Sequence, residues 1–322
     1  MRIAETVFGD ATDSAMRILG RLAWNVAILA LIVFALDMAI GRTLRHFYFF
    51  ESSGQHRRTT YAMEQTEAEL IVFGSSRASR HYVPEVFCRE LNLTCYNTGM
   101  EGNGIFYQLA VLRSILRRYS PEVVVLDFDG IRRGSGSHHS YDSLSSLLPY
   151  YRTHEEIRDI IEMRGPLERL KLCSEIYPFN SELFSIAMGN LEINKRRHLD
   201  DRGYAPLKGA WTMERQTSEE PAREFDFERI AFYNEFIDRC TRAGTTVFLV
   251  CSPSFQVPVG RGPGEDLREL RHGPMVHSFD FSKDERFNDG HLFNDPGHLN
   301  HDGALMYSKI VATEIKDELE ME

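Results

Sequence analysis

The longest apolar stretch lies near the N-terminus. Leu22 to Ile40, LAWNVAILALIVFALDMAI, contains no Lys, Arg, Gly or Pro. As a helix rising 1.5 Å per residue it spans roughly 28 Å, close to the thickness of a bilayer's hydrocarbon core. Its strongly polar members, Asn25 and Asp37, each sit about one turn from an end, where reaching the interface costs least. The cluster His46-Phe47-Tyr48-Phe49-Phe50 follows, as suits residues at a headgroup boundary. The run exceeds the apolar region of about 7–15 residues in a cleaved signal peptide, and Gly41-Arg42-Thr43-Leu44-Arg45-His46 follows where a small-residue cleavage site would stand. The pattern therefore predicts an uncleaved transmembrane anchor over 22–41, after a tail at 1–21, in preference to a signal peptide or a buried core helix. Arg2, Arg17 and Arg21 before the span oppose Arg42 and Arg45 after it, so flanking charge leaves the orientation open.

Residues 42–66 read as a linker, with the polar stretch ESSGQHRRTTYAMEQT over 51–66. Short apolar runs then alternate with turns and helical patterns. Leu70-Ile71-Val72-Phe73 ends in Gly74-Ser75-Ser76, and Leu93-Thr94-Cys95-Tyr96 ends in Asn97-Thr98-Gly99. Val123-Val124-Val125-Leu126 ends in Asp127-Phe128-Asp129, and Thr246 to Cys251 ends in Ser252-Pro253. Val276 to Phe281, VHSFDF, alternates and is a candidate fifth strand. Continuous β-branched runs suit strands buried on both faces of a parallel sheet. Helical spacing appears at Ile105, Leu109, Leu112 and Leu116, and again at Phe225, Ile230, Tyr233, Phe236 and Ile237. The expected fold is α/β, a doubly wound and mostly parallel sheet over 67–322, with ligands outside the carboxyl ends of its strands. Residues 131–224 interrupt the alternation with helix-like stretches, Thr153 to Met163 and Glu182 to Asn194, and a turn at Gly134-Ser135-Gly136-Ser137. They read as a helical insertion, either a lid over the site or a purely structural layer.

Composition narrows the partners. The 322 residues carry 37 Lys+Arg and 47 Asp+Glu, a formal net charge of −10, which argues against a general nucleic-acid binder. Five cysteines, with no C-x-x-C pair, argue against a disulfide-dense scaffold and a zinc ribbon. Their odd number leaves at least one thiol free or paired between chains; Cys251, in an apolar run, reads as a core thiol.

Three segments at strand ends carry residue types suited to acyl transfer. Gly74-Ser75-Ser76-Arg77 places a hydroxyl where backbone N–H groups favour a developing negative charge. Asn97-Thr98-Gly99-Met100-Glu101-Gly102-Asn103-Gly104 lets a backbone approach a ligand closely, and it matches neither a P-loop nor G-x-G-x-x-G. Asp295-Pro296-Gly297-His298-Leu299-Asn300-His301-Asp302-Gly303 sets a carboxylate three residues before an imidazole. The carboxylate can hold one ring nitrogen, leaving the other to activate a serine, which is a poor nucleophile by itself. A rival reading gathers His291, Asp295, His298 and His301 around a metal, although no H-E-x-x-H is present. Arg77 and Arg80 are candidates for receiving an anionic glycan, against the plainer reading of a solvated helix face.

At these residues the chain resembles the SGNH/GDSL hydrolase superfamily. Gly74-Ser75-Ser76 matches its first block, Gly102 its oxyanion glycine, and Asp295 with His298 its closing Asp-x-x-His, which Asn300 and Gly303 continue. The resemblance implies catalytic Ser76, His298 and Asp295, with an oxyanion hole from the backbone N–H groups of Ser76 and Gly102 aided by Asn103, and no cofactor. One departure stands out: the third block usually supplies an Asn, and Asp127-Phe128-Asp129-Gly130 stands there, where a carboxylate would repel an oxyanion. The anchor and the D-x-x-H-L-N ending are most similar to the membrane-anchored branch that includes lipoteichoic-acid D-alanylation and alginate O-acetylation proteins. That similarity implies an esterase or O-acyltransferase on acyl esters of cell-envelope or secreted polysaccharide, single-pass in the cytoplasmic membrane with an extracytoplasmic domain, beside a membrane-bound acyltransferase partner. The rival from another class is a non-catalytic glycan-binding or scaffold subunit with the same fold.

Overall fold

In the computed structural model five short apolar segments form a parallel sheet. Residues 2–51, 54–132, 141–191, 202–214, 217–218, 224–258 and 262–321 are described, without the side chains of 2–15, 217–218 and 257–258. The strands are β1 (Leu70–Phe73), β2 (Cys95–Asn97), β3 (Val123–Asp127), β4 (Thr246–Cys251) and β5 (Val276–Asp280), in the order β2-β1-β3-β4-β5. Every neighbouring pair is parallel. Alternate side chains of the continuous runs enter two separate cores. Ile71, Phe73, Val124, Leu126, Val247 and Leu249 face one, and Leu70, Val72, Val123, Val125, Phe248 and Val250 face the other. Burial on both faces is why these strands read as unbroken apolar runs. β5, at the sheet edge, is half exposed, which explains the alternation of VHSFDF.

The helices follow the predicted patterns with shifted ends. The core on one face is built with α5 (Ile105–Leu116) and α6 (Phe227–Arg242), the latter capped by Asp226 accepting from the Arg229 N–H at 3.2 Å. The opposite core takes α3 (Ser76–His81), α4 (Pro84–Leu91) and α7 (His301–Met321). The chain leaves β1 toward β2 on one side and returns to β3 on the other. The carboxyl ends of β1 and β3 therefore flank the topological switch point, where such sheets bind ligands.

The N-terminal helix α1 runs from Arg2 to Phe50, and its Met16–Phe50 portion is long and apolar enough to cross a membrane. Its side chains from Met16 to Leu36 are exposed, with Trp24 at 68 % and Phe34 at 62 %. The expected linker over 42–66 is corrected: α1 continues to Phe50, and α2 (Gln55–Glu64) is a docked helix with Met63 fully buried. Two buried hydroxyls of α2 meet hydroxyls of distant segments. Thr59 Oγ1 lies 2.8 Å from Tyr107 Oη, and Thr60 Oγ1 2.7 Å from Tyr150 Oη. The aromatic cluster also departs from expectation, because Tyr48 is buried in the body against Tyr150 and Phe179 while Phe50 stays exposed.

The insertion divides in two. Residues 141–191 form short helical turns that join the core beside α2 and α5 and pack on the end of α1. Here Thr153 to Met163 becomes a 3₁₀ turn and a helix at Arg158–Glu162, and the second expected helix is Leu183–Asn190. The Gly134–Ser137 turn lies outside the described residues. Residues 202–211 form an extended strap across the carboxyl ends of the strands. The strap bonds to Asn97, Ser79, His301 and Phe293 through Arg202, Ala205, Leu207 and Trp211 backbone groups.

Candidate active site

β1 delivers the chain into Gly74 at φ +143°, a conformation open to glycine, and a Cβ there would lie 2.7 Å from Ala78 Cβ and 2.9 Å from Asp127 Cβ. The tight turn brings Ser76 to the first position of α3. At the other end of the chain, β6 (Phe293–Asp295) and β7 (His298–Leu299) make an antiparallel hairpin with Asp295 opposite His298. His298 Nε2 lies 2.8 Å from Ser76 Oγ, and His298 Nδ1 lies 2.9 and 3.1 Å from the two Asp295 oxygens. A carboxylate only accepts, so Nδ1 carries the proton and Nε2 is left to accept from the serine hydroxyl. Burial pushes the Asp295 carboxyl up, but the Gly297 N–H at 2.9 Å and the His298 ring more than offset this and hold it below its ordinary range. The line hydroxyl–imidazole–carboxylate is thus geometrically competent to move a proton off Ser76.

The second segment packs against the first. Met100 N–H donates to Gly74 O at 3.1 Å, and Gly99 lies so close to the Ser79 amide that any side chain would overlap it. Asn97 organises the turn: its Nδ2 donates to Ala78 O and Tyr82 O, and its Oδ1 accepts from Gly99 N–H at 2.9 Å. Gly102 has φ +75° and faces open space. Asn103 is buried; its Nδ2 donates to Glu101 O at 3.4 Å. Its Oδ1 has no hydrogen-bond partner among the described residues.

Both arginines expected at the substrate are engaged elsewhere. Arg77 donates to Phe128 O at 2.9 Å and pairs with the fully buried Asp127 at 3.4 Å. Arg80 reaches Glu101 at 3.3 Å and Ala205 O at 3.4 Å. The departure in the third segment is also accommodated. Asp127 is turned into the core, where Tyr82 Oη donates to it at 2.8 Å. Asp129 accepts from Arg229 Nη2 at 3.0 Å and from the Tyr233 hydroxyl, so its charge is met by a guanidinium. The four side chains weighed for a metal do not assemble as one: His298 is committed to Ser76, His301 Nδ1 lies 3.1 Å from Tyr204 Oη, and no metal-holding group of three or more forms among the described residues. Asn300 caps α7, accepting from Gly303 N–H at 3.0 Å.

Several supporting residues escaped the sequence reading. His81 is fully buried, and burial together with Arg77 pushes it well below the ordinary histidine range, so the ring is neutral. Its Nε2 accepts from Leu299 N–H at 3.0 Å, fixing the residue next to His298. Gln108 donates to Gly74 O at 2.6 Å. Arg58 of α2 donates to Gly99 O at 2.8 Å and to Gly203 O, tying the glycine loop to the strap. His81 and Gln108 stand a few residues from glycine-rich turns, whereas nothing in the sequence pointed to Arg58. No protein-family model matches the chain, and no curated protein matches it.

Proposed function

We propose that the protein is a serine-dependent esterase or O-acyltransferase whose acyl-enzyme forms on Ser76. The observation that carries this reading is the continuous contact from Ser76 Oγ through His298 to Asp295 at 2.8 and 2.9 Å. In the first step Ser76 Oγ attacks an ester carbonyl carbon while its proton passes to His298 Nε2, and the carbonyl π pair moves onto oxygen. The backbone N–H groups of Ser76 and Gly102 receive that oxyanion, and Asn103 lines the same loop. Collapse expels the alcohol, which leaves with the proton held on His298. Water or a second hydroxyl then attacks the acyl carbon and gives its proton to His298, and as the second adduct collapses that proton returns to Ser76 Oγ, freeing the acyl product and the serine. Asp295 stays ionised throughout and keeps the imidazole in the productive tautomer.

The choice of substrate, acyl esters of envelope or secreted polysaccharide, rests on the resemblance to membrane-anchored SGNH proteins. So do an extracytoplasmic site, an acyltransferase partner and α1 as a single membrane span. A fluorophosphonate probe tests the chemistry. It is expected to label the native chain and to fail on Ser76→Ala, with the melting temperature unchanged. A folded native chain that the probe does not label would overturn the reading in favour of a scaffold protein, and equal labelling of Ser76→Ala would overturn it by placing the reactive group at another residue.

A further inference from the structure

The unbroken exposure of α1 ends at Leu36. From Met16 to Leu36 all are exposed, and Asp37 is the first to be half covered. Its carboxylate accepts from Ser174 Oγ at 2.5 Å, from Glu175 N–H at 2.7 Å and from Ile176 N–H at 3.3 Å. One turn later Gly41 lies so close to Glu175 that a Cβ there would overlap its backbone. The body of the protein therefore grips α1 inside the apolar run, four residues before Gly41.

The height of this grip follows from helix geometry. Residues 16–36 cover about 31 Å, and 22–40 roughly 28 Å, at 1.5 Å per residue. With a hydrocarbon core of about 30 Å, the first register puts the 174–176 turn at the bilayer boundary and the second puts it within the last helical turn of the core. The same turn carries two exposed leucines. Leu167 and Leu170 are 61 % and 67 % exposed on either side of the helix start at Glu168. Leu170 precedes Ser174 by four residues, across the end of that helix at Lys171. Arg152 holds the segment rigid by donating to Leu172 O at 3.1 Å, and Glu168, beneath it, is fully buried against Lys171. Arg169 and Lys171, on either side of Leu170, are exposed with it, while the Glu168 carboxylate is turned inward.

We propose that residues 167–176 form a second membrane contact, with Leu167 and Leu170 seated in the acyl chains of the leaflet from which the body emerges. The inference rests on α1 spanning a bilayer, and lipid is the occupant because the 174–176 turn of the same segment is bonded to Asp37 inside the apolar run. The body then rests on the membrane surface in one orientation.

The test uses the full chain reconstituted in phosphatidylcholine vesicles with and without brominated acyl chains. With Trp211→Phe as the background, Trp24 reports on α1, and the emission added by Leu170→Trp reports on the patch. The expected result is that brominated lipid removes more than half of the added emission while aqueous iodide leaves it unchanged. Quenching by iodide alone would place Leu170 in water, and resistance to both quenchers would place it under protein; either overturns the proposal. Escape of Trp24 itself from brominated lipid would overturn the spanning helix and, with it, this contact. Leu167→Trp provides an independent second reporter.

Discussion

Two histidine–carboxylate pairs of equal spacing differ in what they face. His298 and Asp295 are 2.9 Å apart, as are His56 and Glu182. The second nitrogen of His298 meets the Ser76 hydroxyl at 2.8 Å, and the pair opens on the rim of the sheet. His56 packs on Tyr48 at the end of α1, and its Nδ1 has no hydrogen-bond partner among the described residues. Glu51 is buried in the same region, with its Cδ where a side chain on Gly189 would stand. Identical pair spacing thus meets a serine hydroxyl in one place, the proton path of the proposed function, and lies at the joint between α1 and the body in the other. The nucleophile on the far nitrogen, and not the pair, sets the role.

The largest effect should come from exchanging the two roles. His298→Gln is expected to lower ester turnover by roughly 10⁴-fold while leaving the thermal midpoint within a degree or so. His56→Gln should do the reverse. Turnover per folded molecule holds, and stability falls by about 1–3 kcal/mol as Glu182 loses its buried partner. Equal losses of turnover in both variants would break the comparison.

Glu51 sharpens it through pH. Burial pushes its carboxyl up to about 7, from an ordinary value of 4.5. Between those values the folded chain holds a proton that the unfolded chain has released, so this group's contribution falls as pH rises from about 4.5 through about 7. The ceiling on that loss is about 3 kcal/mol. Glu51→Gln should therefore melt with the native chain at pH 4.5 and above it at pH 8, in thermal scans of the detergent-solubilised protein. A constant offset across that range would show that Glu51 is not the titrating group.

The smallest expected change concerns His81. Its neutral ring accepts from Leu299 N–H in the Asp295–His298 hairpin without touching the serine. His81→Phe should lower kcat about tenfold with KM unchanged, and His81→Gln, which keeps an acceptor, should recover most of it. A KM effect without a kcat effect would assign His81 to substrate binding.

What the sequence disclosed depended on where partners lie. β1 and β3 were legible because burial on both faces writes itself as Leu70–Phe73 and Val123–Leu126. Ser76, Asp295 and His298 were legible because each stands in a short turn with its own glycine. The polar stretch 51–66 was not, since Thr59, Thr60 and Arg58 find partners at Tyr107, Tyr150, Gly99 and Gly203, 41 to 145 positions away. The same holds for Arg77: its helix-face spacing suggests solvent, and only the sheet order reveals Asp127 beside it. Asp37 looked like a residue reaching for the interface, and its true acceptor role needed Ser174 and its neighbours.

Arg58 has one more consequence. α2 starts at Gln55, directly after the end of α1 at Phe50 and residues 51–54, and Arg58 clasps the loop that flanks the serine. The altitude of that serine above the point where the chain leaves its apolar run is therefore tied to α2, whose His56 packs on Tyr48 of α1. Under the proposed function a donor or acceptor chain would have to present its ester at that level, which makes reach, as much as chemical identity, a criterion of selection.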